Sequence, residues 1–419
     1  VAITGAMTTE PPVYRPFALA AFAAALGGGT PLGIWMASWL YLGAPAVPID
    51  WVLLHAHLQI FGFFAMLIPG VAHHLFARFT GRVVTPGAAA RWILGLLVGG
   101  MVSRLWGTGV HRPGFIVTAS CLEAAGFVLF GLRVWRSLDP PPLALLRRQL
   151  TISTGWFALA CLVEAVLRWR ALQAGLTLPD VGGLRAVHAM ALLGGVIGWV
   201  LGVLLRAGPM FVAGWRAPLR TARAVPWVLG LGVLIAAAGE AAGGWVTLAR
   251  LGEFIALASV GAVMVMGGAA RRGHGALPMV GRSAEEARIF RLAVFSAGLS
   301  VIGSAAATAA AYSGAPAHLL TDAVRHLVTI GYLTSVVVAM AFRLIPVLEG
   351  KALPWPRLRG VAFWTLLTGI LLRSAEVLVG HGWSGPAPWI PLSGVLVWLA
   401  LACVGANLVG AIAARRGAV

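Results

Sequence analysis

Long apolar runs recur along this chain, broken by short stretches rich in Pro, Gly and Arg. A helix that crosses a membrane needs about 20 mostly apolar residues. Twelve stretches satisfy this: 15–43, 51–78, 89–110, 115–136, 149–173, 183–207, 225–247, 249–270, 287–312, 317–345, 358–380 and 388–413. The breaks carry residues that end helices, among them Pro45, Pro48, Pro86, Pro179, Pro354, Pro356 and the run Pro140–Pro142. The pattern predicts an all-α integral membrane protein of about twelve transmembrane helices. Its organisation is then a single membrane domain over 15–414 with two short tails, 1–14 and 415–419. The first tail has no basic segment, so the first span is expected to be retained rather than cleaved as a signal.

Composition agrees. Of 419 residues, 59% are hydrophobic and only 11% charged, with mean hydropathy +0.89, which leaves little chain for a soluble domain. The net charge of +18 raises nucleic acid as a partner. Most arginines, however, lie in short loops between apolar runs, where such an excess marks the cytoplasmic side. Arg78, Arg82 and Arg91 fall on one face with Arg133, Arg136, Arg147 and Arg148. Arg206–Arg223, Arg271–Arg291 and Arg343–Arg359 continue the series on that face. Both termini are therefore expected in the cytoplasm, with the lipid bilayer as the partner and no nucleic acid bound. Cys121, Cys161 and Cys403 lie singly in apolar runs and form no CxxC or CxxCH motif, so they read as inert thiols.

Against this background the histidines stand out. His55 and His57 enter the second span from the outer face, His188 enters the sixth and His326 the tenth. Each is followed by a Gly (Gly62, Gly194, Gly331) and then by an Arg at the other end (Arg78, Arg206, Arg343). The separations of 17 to 21 residues correspond to about 25–32 Å of helix, one hydrocarbon thickness. The three spans lie four helices apart, which predicts three pseudo-repeated four-helix units. That plan differs from the twofold repeats of many secondary transporters.

Ionisable groups inside a membrane are costly and usually functional. Imidazoles at one depth on neighbouring helices suit haem iron as axial ligands, and also suit copper. His55 and His57 are two residues apart, about 200° around a helix, so they face different neighbours. His73 and His74 fall at the cytoplasmic lip beside Arg78 and read as a solvated basic rim. His111, His318 and His381 fall in or near outer loops, and His274 in a cytoplasmic one. Glu123, Glu164, Glu240, Glu253 and Glu376 share the outer half with Arg104, Arg168, Arg170, Arg250 and Arg373. These groups either pair with each other or leave arginines for haem propionates. Arg325, directly before His326, is the first choice for a propionate contact. The inner half has hardly a carboxylate, which argues against proton pumping. A haem-free transporter using the outer-half charges, with the histidines as proton relays, is the competing reading.

Twelve spans with ligand-type histidines on the second, sixth and tenth resemble the catalytic subunit of haem-copper oxidases and nitric oxide reductases. The segments His55-Ala56-His57…Gly62 and Arg325-His326…Gly331…Met340…Arg343…Gly350 resemble more closely the NnrS family of haem- and copper-containing membrane proteins. The resemblance implies haem b in the outer half of a bacterial cytoplasmic membrane. It also implies a role in electron transfer or nitric oxide metabolism, as a haem-dependent oxidoreductase or as an electron-transfer subunit that meets a cytochrome or membrane redox partner. It places one haem between a histidine of the second span, preferably His57, and His326. A second haem, or copper, would use His55 and His188. The chain also departs from these patterns. The paired histidines lie on the second span, residues 208–247 contain none for a copper centre, and Leu58 follows His57 where many NnrS members carry Glu.

The orientation is testable. In a cysteine-free background, Arg147→Cys is expected to react with an impermeant maleimide only after the cytoplasmic side is opened. His111→Cys is expected to react in intact cells, and the reverse result would invert the topology.

Overall fold

A computed structural model of the chain describes residues 12–81, 87–208, 217–267, 284–315, 317–379 and 387–414. The tail 415–419 and nearly all of the tail 1–14 lie outside the described residues, as do His274 and His381.

Among the described residues, eleven helices are long and apolar enough to cross a membrane. They are α1 (Tyr14–Leu42), α2 (Ile49–Thr80), α3 (Gly87–Gly109), α4 (Pro113–Ser137), α5 (Pro141–Gln173) and α6 (Val181–Ala207), followed by α7 (Leu219–Ala241), α8 (Val246–Met266), α9 (Ala284–Tyr312), α10 (His318–Glu349) and α12 (Trp389–Ala413). Between the last two stands α11 (Leu358–Ser374), a 17-residue helix. It ends at Ala375, and a single helical turn, Glu376–Val379, follows. The expected span 358–380 is thus shorter than its apolar run. Glu376 ends it by turning inward, where it is 2% exposed.

Three helices form the inside of the bundle. α2 packs against α1, α3 and α4; α6 against α5, α7 and α8; α10 against α9, α11 and α12. α2 and α6 also meet each other, and α12 returns to α1. The most apolar stretch of α6 is 78% buried, against 33% for α3. α3 is apolar on its exposed side as well, a pattern that water would penalise and lipid does not. Trp92, Trp135, Trp227 and Trp364 lie on that outer surface, each more than half exposed.

The inner helices share a local irregularity. π-helix occupies Leu58–Ala65 in α2, Met190–Ile197 in α6 and Leu327–Thr334 in α10. Each segment begins one or two residues after His57, His188 or His326. A fourth, shorter one lies at Ala25–Gly29 in α1. π-helix makes up well under 1% of residues in ordinary proteins and collects at functional sites. The i→i+5 bonds admit an extra residue per turn, so the face below the histidine is rotated relative to the face that bears it.

α2 and α10 end at the opposite side on Gly81 and Gly350, both left-handed (φ 66°), where a side chain would be strained. Between the two ends α1, α2, α6, α10 and α12 line a partly open cavity of about 110 Å³. Its wall is apolar, formed by residues such as Phe64, Leu67, Val196, Trp199, Val337 and Met340. The polar atoms that touch it are already bonded. Trp199 Nε1–H donates to Thr154 Oγ1 at 2.8 Å, and the Tyr14 hydroxyl donates to Glu349.

Candidate functional site

The charged residues of the histidine end are gathered into three clusters. The first joins α2 to α5. Arg104 donates to both oxygens of Glu164, at 2.7 and 2.9 Å, and to Glu123 Oε2 at 3.0 Å. His57 Nε2 lies 2.9 Å from Glu123 Oε1, and Arg168 Nε 3.4 Å from Glu164 Oε1. All five side chains are buried. The second cluster joins α7, α8 and α10. Arg250 pairs with Glu240 and, at 2.5 Å, with Glu253, and Arg325 reaches Glu240 at 3.1 Å. The third joins α10, α11 and α1. Arg373 bonds Asp322 at 2.5 Å and Glu376 at 3.3 Å, and the Tyr41 hydroxyl donates to Glu376.

Pairing is thus the outcome for these acids and for Arg104, Arg168, Arg250 and Arg373, while Arg170 is exposed. A buried charge without a partner would cost several kcal/mol, and each carboxylate of these clusters has an arginine. Arg325, expected to contact a propionate, reaches Glu240 at 3.1 Å and keeps its side chain 42% exposed. Arg373 is the arginine that shares the surroundings of His326.

The four intramembrane histidines divide into two groups. His57 and His188 line one small cavity of about 10 Å³, room for a single water-sized or ion-sized occupant, together with Arg104, Glu164 and Arg168. His55 lies within electrostatic reach of His326, Arg373 and Asp322. Sequence reasoning paired His57 with His326 and His55 with His188, and the side chains group the other way. The 200° between His55 and His57 does send them to different neighbours. Which neighbour each meets depends on how α2 is rotated, and helical spacing alone leaves that rotation open.

His55 and His326 share a hydrogen-bonding arrangement. His55 Nδ1–H donates to the Gly29 carbonyl at 2.7 Å, and His326 Nδ1–H to the Asp322 carbonyl at 2.8 Å. A carbonyl can only accept, so the proton is on Nδ1 and Nε2 carries the lone pair. Asp322 Oδ2 stands 3.3 Å from the same Nδ1 of His326. Metal-binding imidazoles are held in this way, with the second nitrogen donating to a carbonyl or carboxylate. The ring of His55 lies against α1, where a Cβ on Gly33 would come 2.7 Å from Cε1. Only glycine at that position leaves the imidazole its place.

The remaining histidines separate plainly. His73 is not part of a solvated rim. It is 3% exposed, packs near Phe17, Phe76 and Phe130, and donates from Nδ1 to the Pro69 carbonyl at 2.6 Å. Its place in the core follows from the face of α2 that it occupies, which turns toward α1 and α4. His111 is exposed and stands 4.0 Å from Asp50. At the arginine end, Glu286 and Glu349 are buried, so that end is less poor in carboxylates than its sequence suggests. Arg359 holds Glu286 at 3.1 Å, and Arg15 holds Glu349 at 2.5 Å.

Among known proteins, neither a family model nor a curated sequence matches this chain. A solved structure does. A haem-copper terminal oxidase, determined as a dimer by cryo-EM, superposes with a TM-score of 0.65 over 97% of this chain and 85% of its own, at 11% sequence identity. The chain therefore has a haem-copper oxidase-like membrane fold.

Breaking the first cluster is expected to be costly. Arg104→Met leaves two buried carboxylates without their common partner and should destabilise by about 3–5 kcal/mol. Arg147→Met, which breaks the exposed pair with Asp139, should cost under about 1 kcal/mol. Denaturant titration in detergent, followed by tryptophan fluorescence, compares the two.

Proposed function

We propose that this chain is a haem b-binding membrane redox protein resembling the NnrS family. It acts in electron transfer, or in nitric oxide metabolism, at the periplasmic side of a bacterial cytoplasmic membrane. The observation that carries this reading is the state of His55 and His326. Each has Nδ1 bonded to a backbone carbonyl, leaving Nε2 as a lone-pair donor. They stand on α2 and α10, the helices that hold the low-spin haem in the oxidases that the sequence resembles.

These residues fit the group. Two imidazoles of fixed tautomer, His55 and His326, would ligate haem iron through Nε2, and Gly33 leaves room for one of the rings. A haem so held supplies a one-electron carrier with no open position for oxygen or nitric oxide. Asp322, through its carbonyl and its nearby carboxylate, would raise the basicity of His326. Arg325, and Arg373 beside Asp322, are the arginines that would meet a propionate. A cytochrome or a membrane redox protein is the partner that such a carrier requires.

Proton pumping does not belong to this reading. Glu286 and Glu349, the buried carboxylates described at the arginine end, are each tied to an arginine. The chamber above them has an apolar wall, which offers water no partners for a proton path.

A reduced-minus-oxidised absorption spectrum of the purified protein is expected to show a b-type α-band. His55→Ala and His326→Ala should each remove or shift it, and His73→Ala should leave it unchanged. Carbon monoxide should leave the band of the wild type in place. No α-band at all would sink the haem reading, and a carbon monoxide shift would replace the closed carrier with an open-site enzyme.

A further inference from the structure

The cavity beside His57 has no part in the haem reading, and its walls are chemically specific. His57 is 2% exposed, and its Nε2–H is held by the Glu123 carboxylate at 2.9 Å. A carboxylate oxygen accepts, so the lone pair of the neutral ring is on Nδ1. That atom is buried and has no hydrogen-bond partner among the described residues. The nearest anionic atom is Glu164 Oε2, at 4.0 Å. His188 completes the wall on the α6 side, and Asp50 and Thr108 also line it.

We propose that this cavity binds one divalent first-row transition-metal ion of the Zn2+ or Fe2+ class. The ligands are His57 through Nδ1, Glu164 through Oε2, and His188. One donor atom each from His57, Glu123 and Glu164 already lies within 4.8 Å of the others. The set of two imidazoles and one carboxylate is typical for zinc and non-haem iron. It is too nitrogen-rich for calcium or magnesium, which take oxygen ligands. Glu123 fixes the tautomer and orientation of His57 from behind, as the carboxylate partners of metal-bound histidines do.

The arginines are compatible with a cation here. Arg104 donates to both oxygens of Glu164, and the Ser120 hydroxyl lies 3.2 Å from Oε2. That hydroxyl has one proton, which the Ile116 carbonyl at 3.1 Å also accepts. Giving it there leaves Oε2 a lone pair toward His57. Two carboxylates and two arginines cancel in charge, and Asp50 adds a negative charge on the wall. Arg104 Nε and Arg168 NH1 are buried without hydrogen-bond partners among the described residues. Both residues line the cavity, whose size admits the ion and little else. The site uses the face of α2 opposite to His55, so it is independent of whether haem is bound.

The test uses the full chain, stripped with chelator and equilibrated with Zn2+, with Fe2+ under anaerobic conditions in a parallel arm. The expected result is one Zn2+ per chain by elemental mass spectrometry, with imidazole scattering in the zinc-edge X-ray absorption spectrum. His57→Ala is expected to lose the ion. Glu123→Gln, which can still accept from Nε2–H, should weaken binding 10- to 100-fold. Glu240→Gln, in the neighbouring cluster, should bind as the wild type does. The Fe2+ arm, counted against haem measured independently, decides which ion is preferred. Equal zinc in wild type and His57→Ala would overturn the proposal, and so would a zinc shell without imidazole. If His57→Ala fails to fold, the affinity ratio of Glu123→Gln to wild type decides alone, and a ratio near one refutes the site.

Discussion

Everything at the histidine end depends on the absence of water around buried charge. Arg104, Arg168, Arg250, Glu123, Glu164 and Glu253 lie on helices that also face lipid, yet each is less than a tenth exposed. Charges so placed survive only where opposite charges are within hydrogen-bond reach. The three clusters meet that condition with the same means: an arginine bridges two carboxylates, at least one of them from another helix. Because each cluster has a bridge that crosses between helices, the clusters also fix how the helices are rotated and how deep they sit. Aliphatic packing alone would leave both much less determined, since hydrocarbon against hydrocarbon resembles lipid against hydrocarbon.

The histidines inherit their geometry from that frame. His57 is drawn into the first cluster through Glu123, which sets the rotation of the upper part of α2. With that rotation fixed, His55 turns to α1 and comes near the charges around His326. The two imidazoles are therefore different chemical species although they are two residues apart. His55 presents Nε2 and is backed by a backbone carbonyl. His57 presents Nδ1 and is backed by a carboxylate. A ring backed by an anion is the more basic ligand, so the two faces of α2 suit different metals.

Much of this was readable from the chain, because membrane helices write their length and amphipathicity plainly. The helix count, the inward histidines and the zone where acids and arginines meet all follow from apolar runs and their interruptions. The partners did not follow. Arg325 looks like the neighbour of His326 because it precedes it in sequence, but adjacent residues on a helix point about 100° apart, and Arg325 goes to Glu240. His73 looks solvated beside Arg78 and is instead packed against Phe17, because α1 covers that face of α2. The π-helical turns explain part of the difficulty. Counting at 3.6 residues per turn loses register over Leu58–Ala65, and no residue type in that segment announces the change.

The apolar chamber has a consequence for how the protein sits in an electric field. A membrane potential falls mainly where the dielectric constant is low, and a wall that cannot hold water extends the insulating layer. The charge clusters at the histidine end are equally shut off from water, so the two halves of the bundle share the drop. Both histidine groups stand at the same end of α2, α6 and α10, so an electron or proton moving between them travels across the field rather than along it, and its energetics are set by local chemistry.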